Sequence, residues 1–339
     1  MVKYCIGIAG GIGTGKTTLA RALSVRLDGR IIPLAAAVKG AAMTLCGVGA
    51  FFPQKQAFMS RKVLQAIGHG ARRSDNRTWL YIHEVLMSLC DKEVVIVSDV
   101  RYRNELEHLK SRFGGENSLF VRLKGDSYLP VDPEVANHPS EHGLDDCDGE
   151  FDIELQAGEP VYVLVDAIVR VANWKGWSFS KRNIRVYISS NMYGSTGFES
   201  LFEKIASLLA SHDIEPLLPD DDYYDWSEAF IADPIRASES LVAFDLRMVY
   251  ESDAVIAWLQ SPSIGAAMEI LVASILDKPV FAVVHPDLLS HPFLLAFAKK
   301  VIATPNPEAV DERTVVRIIR SIKEMFGIVP SGMVSSNGS

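Results

Sequence analysis

The sequence predicts an α/β protein of two domains, each a mainly parallel sheet with helices on both faces. Three observations lead there. Short apolar runs bounded by turn residues alternate with stretches of helical spacing, the pattern of buried parallel strands joined by crossover helices. This pattern breaks once, over residues 173–183, and then restarts. The chain has 339 residues, 48% of them hydrophobic, which is long for one compact domain and enough for two cores.

In the first half, residues 2–9 form an apolar run and read as a strand. The Gly-rich segment 10–15 follows. Residues 16–27 have helical spacing, with Leu19, Leu23 and Leu27 on one face and Gly29 placed to end the helix. Helices are expected over 60–67 and 79–89, and strands over 93–97, running into Ser98-Asp99, and over 119–123. A helix over 161–172 closes the half. Trp174, Gly176 and Trp177 then mark a packed connector. The second half should hold strands over 184–189, 214–218, 254–259 and 279–284, with helices over 198–209 and 266–276. The expected division is 1–175, a linker 176–183, a second domain 184–330, and a Gly/Ser-rich disordered tail 331–339.

Composition narrows the function classes. The formal net charge of -8 disfavours a broad nucleic-acid footprint, although single nucleotides need only local basic residues. No apolar run approaches the roughly 20 residues that span a bilayer. The four cysteines, Cys5, Cys46, Cys90 and Cys147, are far apart and form no disulfide framework. The N-terminus enters a strand at once, leaving no room for a signal peptide. A cytoplasmic protein acting on small molecules, with no nucleic-acid or membrane partner, is expected.

Residues Gly10-Gly11-Ile12-Gly13-Thr14-Gly15-Lys16-Thr17 satisfy G-x-x-x-x-G-K-[ST]. Glycines there let backbone N–H groups turn inward around phosphate oxygens, and the helix that follows adds its positive dipole end. Gly10, Gly11, Gly13 and Gly15 would cradle ATP, Lys16 would reach its β and γ phosphates, and Thr17 would ligate Mg²⁺. This makes the first half a P-loop NTPase-type sheet. Asp99, at the end of a buried strand, stands where such a fold puts its metal-organising acid. Arg101 and Arg103 follow, suited to clamp a phosphate or stabilise its charge.

Three further segments carry a resemblance. They are Arg61-Lys62-Val63-Leu64-Gln65-Ala66-Ile67-Gly68 with Arg72, Ser98-Asp99-Val100-Arg101-Tyr102-Arg103-Asn104-Glu105, and His138-Pro139-Ser140-Glu141. In order and spacing, residues 1–175 resemble the phage deoxynucleoside monophosphate kinases. The resemblance implies ATP-dependent phosphorylation of a dNMP to a dNDP. It puts Arg61, Gln65 and Arg72 on the acceptor side and Ser140-Glu141 in a lid-like segment. Gln65 can read a base edge with its amide, and Arg61 and Arg72 can hold the 5′-phosphate. Pro139 argues against a regular helix between His138 and His142, so a nucleotide-gating loop is expected.

In the second half, Asp245 to Leu259 is followed by Ser261-Pro262-Ser263-Ile264-Gly265-Ala266-Ala267-Met268-Glu269 and Lys278-Pro279-Val280. Residues 185–299 resemble the nucleoside 2-deoxyribosyltransferase superfamily, and most of all the 2′-deoxynucleoside 5′-monophosphate N-glycosidases. The resemblance implies a Rossmann-like or flavodoxin-like domain. It also implies Glu269 as the nucleophile and Asp245 as the second acid, with Tyr187 near the sugar. By the same resemblance Ser263 and the backbone at Gly265 would cradle the 5′-phosphate. A carboxylate is the right group for attack on a carbon that gains positive character as the base leaves. Asn191 stands where a phosphate-binding hydroxyl is expected, and Tyr193 where a basic residue is usual. Ile264 replaces the acid often found in transferases that use free nucleosides, which favours the glycosidases. The resemblance also implies at least a homodimer through this domain, because that family completes its phosphate site from a neighbouring subunit. Two alternatives stay open for the second half: a base-exchanging transferase, and an inactive nucleotide-sensing module.

Overall fold

The computed structural model describes residues 2–46, 57–125, 133–190, 198–219, 232–304, 306 and 310–328. It divides into two compact units, Met1–Arg182 with Lys323–Ser339, and Asn183–Ile322. The C-terminal part differs from the expected 184–330 boundary, because residues from Lys323 on group with the first unit. There Gly327, at φ 68°, comes so close to Val161 and Tyr162 that a Cβ would sit 3.1 Å from Val161 Cγ1. The tail 331–339 lies outside the described residues.

The first unit holds β1 (Tyr4–Gly10), β2 (Arg30–Ile31), β3 (Val94–Val97), β4 (Ser118–Lys124) and β5 (Ile153–Gln156). They form one sheet in the order β2-β3-β1-β4-β5, with every neighbouring pair parallel. Its helices are α1 (Lys16–Arg26), α2 (Ala35–Cys46), α3 (Ala57–Ser74), α4 (Thr78–Ser88), α5 (Arg103–Asn117), α6 (Pro133–Ala136), α7 (Pro139–His142) and α8 (Val161–Trp174).

Strand alternation sorts the core into two layers. Tyr4, Ile6, Ile8, Leu119 and Val121 face Leu19 and Leu23 of α1 and Ile168 of α8. Cys5, Ala9, Val95, Val97 and Phe120 face Leu80 of α4 and Leu106 and Leu109 of α5. Gly7 is required where it stands, because an added Cβ would lie 2.6 Å from the Phe120 ring. The connector packs through one of its two tryptophans. Trp177 stacks on Tyr4 at 4.6 Å and donates to the Glu116 carbonyl at 2.6 Å, while Trp174 is exposed.

The second unit holds β6 (Ile184–Ser190), β7 (Ile214–Leu217), β8 (Ala254–Leu259), β9 (Val280–Val284) and β10 (Lys300–Ala303). Its sheet is also fully parallel, in the order β10-β9-β8-β6-β7. Counted within the unit this is the flavodoxin-like order 2-1-3-4-5, whose ligand crevice opens at the carboxyl ends of the first and third strands, here β6 and β8. Its helices are α9 (Phe198–Ala210), α10 (Pro234–Glu251), α11 (Ile264–Ile275) and α12 (Pro292–Phe297); α13 (Glu312–Met325) ends the described fold. Val255, Ala257, Val280 and Ala282 line one core layer with Val249 of α10 and Ile270 of α11. Val186, Ile188, Ile256, Trp258 and Phe281, at alternate positions, are buried on the other face.

Most expected elements form within a residue or two of their predicted ends. Helices α2, α5, α6, α10, α12 and α13 and strands β2, β5 and β10 had no sequence expectation. The expected helix over 60–67 is the middle of the longer α3. One expectation is corrected: Pro139 starts a helical turn, α7, rather than preventing one. It occupies the first helical position, where a missing N–H costs nothing, and the His138 ring accepts the Ser140 N–H to cap the turn.

Candidate functional site

In the first unit the P-loop joins the central strand β1 to α1. Gly10, Gly13 and Gly15 have φ of 145°, 74° and 93°, conformations that side chains rarely adopt. A Cβ on Gly10 would lie 2.7 Å from the Leu123 carbonyl oxygen. Thr14 is buried and donates from Oγ1 to the Gly11 carbonyl at 2.9 Å, closing the loop on itself. Lys16 is also buried, and its ammonium donates to the carbonyls of Gly10 and Gly11. Thr17 is exposed in the first turn of α1. The loop therefore has the strained backbone, the lysine and the free helix start that a polyphosphate needs. The donor set also fits Mg²⁺, which keeps most of its waters and takes one or two protein ligands.

Asp99 follows β3, next to β1 in the sheet. Its Oδ1 accepts the Leu34 N–H at 2.7 Å and its Oδ2 the Ala35 N–H at 2.8 Å. Both oxygens thus hold the start of α2, a task the sequence did not suggest. His83 lies fully buried nearby, with its Nε2 2.9 Å from the Ile32 carbonyl. Burial lowers its pKa, so it stays neutral.

Of the residues expected on the acceptor side, Arg72 and Arg101 join through Glu105. Arg72 on α3 donates from Nη2 to Glu105 Oε1 at 2.7 Å and lies over the Tyr102 ring at 4.3 Å. Glu105 Oε2 accepts the N–H groups of Arg101 and Tyr102 at 2.8 and 3.1 Å. Burial raises the pKa of Glu105, and the Arg72 charge opposes that rise. The Arg101 side chain pairs with Glu141 and donates to the Ser140 carbonyl at 3.3 Å. Gln65 Nε2 donates to the Val135 carbonyl at 3.3 Å. Arg103 stands apart, pairing with Asp146 at 3.3 Å on an exposed surface. Arg61 belongs to α3, but its side chain lies outside the described residues.

Sequence reasoning assigned no role to Glu105. Half of a signal was present: Glu105 stands at the third position of α5 and its carboxylate accepts the Tyr102 N–H at the N-cap, but Tyr102 is not a usual capping residue.

In the second unit, Tyr187 on β6 donates from its hydroxyl to Glu269 Oε1 on α11 at 3.2 Å, and both side chains are buried. Burial drives the Glu269 pKa up to about 7, and the Asp245 charge on α10 adds to the rise. The hydroxyls of Ser189 and Tyr187 pull it the other way. Burial also raises the Tyr187 pKa, with the two carboxylates adding to the effect, so its proton stays on oxygen. The three predicted residues Tyr187, Asp245 and Glu269 thus meet, although they are far apart in sequence. Ser189 joins them without having been foreseen; being two residues from Tyr187 on one strand, it shares that face of the sheet.

Ser263 caps α11, its Oγ accepting the Ala266 N–H at 3.3 Å. Gly265, in the first turn, has open space where a Cβ would be. Asn191 and Tyr193 lie outside the described residues.

Among the described residues no helix is long and apolar enough to cross a membrane. Cys5, Cys90 and Cys147 are free thiols.

No protein-family model and no curated protein matches the chain. Among solved structures, shikimate kinase from Aquifex aeolicus is similar at 15% identity and TM-score 0.30, covering 51% of this chain and 98% of its own. Shikimate kinase from Bacteroides thetaiotaomicron is similar at 14% identity and TM-score 0.27, covering 51% and 99%. The E. coli ADP-heptose LPS heptosyltransferase II is similar at 14% identity and TM-score 0.28, covering 95% and 98%. These likenesses are too loose to carry a functional reading, which rests on the geometry above.

Proposed function

We propose that the first unit transfers the γ-phosphoryl group of ATP to a deoxynucleoside 5′-monophosphate, giving ADP and a dNDP. The observation that carries this is the P-loop, with its buried Lys16, beside a strand that leads into Asp99 and Arg101. Loop N–H groups and Lys16 would hold the ATP phosphates, the lysine leaving its own loop carbonyls to do so. Thr17 would hold Mg²⁺, which neutralises charge on the phosphate oxygens. Arg72 and Arg101 would receive the acceptor phosphate, and Gln65 would meet the base.

A second reaction is favoured by one specific observation, the cluster of buried Tyr187 and Glu269 with half-buried Asp245 beside the crevice of the second sheet. Here the reading is hydrolysis of the N-glycosidic bond of a dNMP. The Glu269 carboxylate bonds to C1′ as the bond from C1′ to the base nitrogen breaks, and Asp245 assists the departing base. Water then displaces Glu269 from C1′, giving deoxyribose 5-phosphate. Ser263 and the start of α11 would hold the 5′-phosphate. Exposed Ile235, Ile264, Met268 and Phe293 on α10, α11 and α12 would meet a second copy of the chain, which sedimentation or light scattering tests.

One experiment tests both reactions: incubation with each dNMP, with and without ATP and Mg²⁺, resolving dNDP and free base by chromatography. Lys16→Ala should lose dNDP and keep base release, and Glu269→Ala should do the reverse. A chain that forms no dNDP from any dNMP refutes the kinase reading. Release of no base refutes the glycosidase and leaves a sensing module. A new nucleotide formed from an added second base identifies a transferase.

A further inference from the structure

We propose that Glu105 is the positioning residue of the acceptor site: its two oxygens fix the Arg72 guanidinium and the Arg101 backbone, so that two arginines from distant elements face one phosphate as a preset pair. The inference rests on the kinase reading of the first unit.

Glu105 is 2% exposed, and a buried carboxylate is costly unless it is paired and hydrogen-bonded. It meets both conditions. Oε1 takes a charge-assisted bond from Arg72 Nη2 at 2.7 Å, and Oε2 takes the N–H groups of Arg101 and Tyr102. Arg72 is held at two further points, since its Nη1 donates to the Gly68 carbonyl at 3.3 Å within α3 and its plane lies over Tyr102. The segment that Glu105 ties to α3 is the one that leaves the strand beside the P-loop. Glu105 therefore links the helix expected to carry the acceptor to the loop nearest the donor. Two planar guanidiniums held in advance lose little freedom on binding a phosphate, and this lowers the cost of binding.

The chemistry of glutamine isolates this role. Glu105→Gln keeps one acceptor oxygen, which the two backbone N–H groups claim. It then turns an amide N–H₂ toward Arg72, donor against donor. The cap of α5 survives and the arginine clamp does not. The KM for dNMP should rise about tenfold, the loss of one charge-assisted contact, while the KM for ATP and kcat stay within about threefold. Glu105→Asp, which keeps the charge but draws the carboxylate back from Arg72, should give a smaller rise in the same KM.

Steady-state kinetics on the full chain with each of the four dNMPs decides this, with circular dichroism melting run alongside. An unchanged KM for dNMP in Glu105→Gln overturns the inference while leaving the kinase reading intact. So does an equal rise in both KM values, which would mark general damage. Should Glu105→Gln fail to fold, Glu105→Asp carries the test in its place. A wild-type chain that phosphorylates no dNMP refutes the kinase reading itself, and this inference with it.

Discussion

Replacing Glu269 with glutamine should abolish base release and, at alkaline pH, make the second unit more stable. The carboxyl titrates near 4.5 in an unfolded chain and at about 7 in the folded one, because burial and Asp245 disfavour its charge. The sign follows from proton linkage. A group whose folded pKa is raised contributes stability in full below its unfolded value, and that contribution is lost as pH rises through the folded value. At 1.36 kcal/mol per pH unit, ionisation of Glu269 costs the folded state about 3 kcal/mol above pH 7. Glutamine never ionises and still accepts the Tyr187 hydroxyl. At pH 8 the variant should therefore be more stable by about 3 kcal/mol, a melting rise on the order of 10 °C for a unit of this size. At pH 4 the two proteins should melt together. Calorimetric or dichroic melts at both pH values, resolved for the second unit, are the assay. A melting difference that is the same at pH 4 and pH 8 would refute the reasoning, because it would show that Glu269 has no raised pKa. If base release survives the substitution, Glu269 is not the nucleophile.

Three further outcomes are expected. Tyr187→Phe removes a hydroxyl that lowers the Glu269 pKa, so the rise of base release with pH should move upward by on the order of one unit; an unmoved limb of the pH–rate profile would show that the hydrogen bond is unimportant. Gly10→Ala puts a Cβ 2.7 Å from the Leu123 oxygen at a φ of 145°. It should cost about 2–3 kcal/mol and abolish ATP binding, which denaturant titration and calorimetry would read. Asp99→Asn keeps one acceptor oxygen for the two N–H groups at the start of α2 and should lower stability by about 1–2 kcal/mol, seen as a lower denaturant midpoint.

The central strands were legible because they are buried on both faces, whereas the part-exposed edge strands β2, β5 and β10 were not. Strands such as β3 and β8 are continuous apolar runs, and these stand out at once. Helices were legible where an amphipathic stripe marked them, as in α8 and α9. They were missed where composition hid them, as in α2, with its run of alanines, and in α5, with glycines at 114 and 115; α13 was missed even though Val315, Ile318, Ile319 and Ile322 mark its buried face. The return of the chain to the first unit after Lys323 carries no local signal, since an exchange of partners leaves the helical pattern of α13 unchanged.

The P-loop is what the sequence determined alone. It is one strand–turn–helix whose glycines and lysine lie within eight residues, so spacing suffices to specify a phosphate cradle. Acids and arginines are different, because their roles depend on what surrounds them. Only the tertiary structure joined Arg72 to Glu105 across 33 positions and Tyr187 to Glu269 across 82. Only burial turned Glu269 from an ordinary helix carboxylate into one titrating at about 7. The physical reason is that parallel sheets bring the ends of distant strands to one edge, and the desolvation and charge found there are properties of the packed chain, which no local stretch of sequence carries.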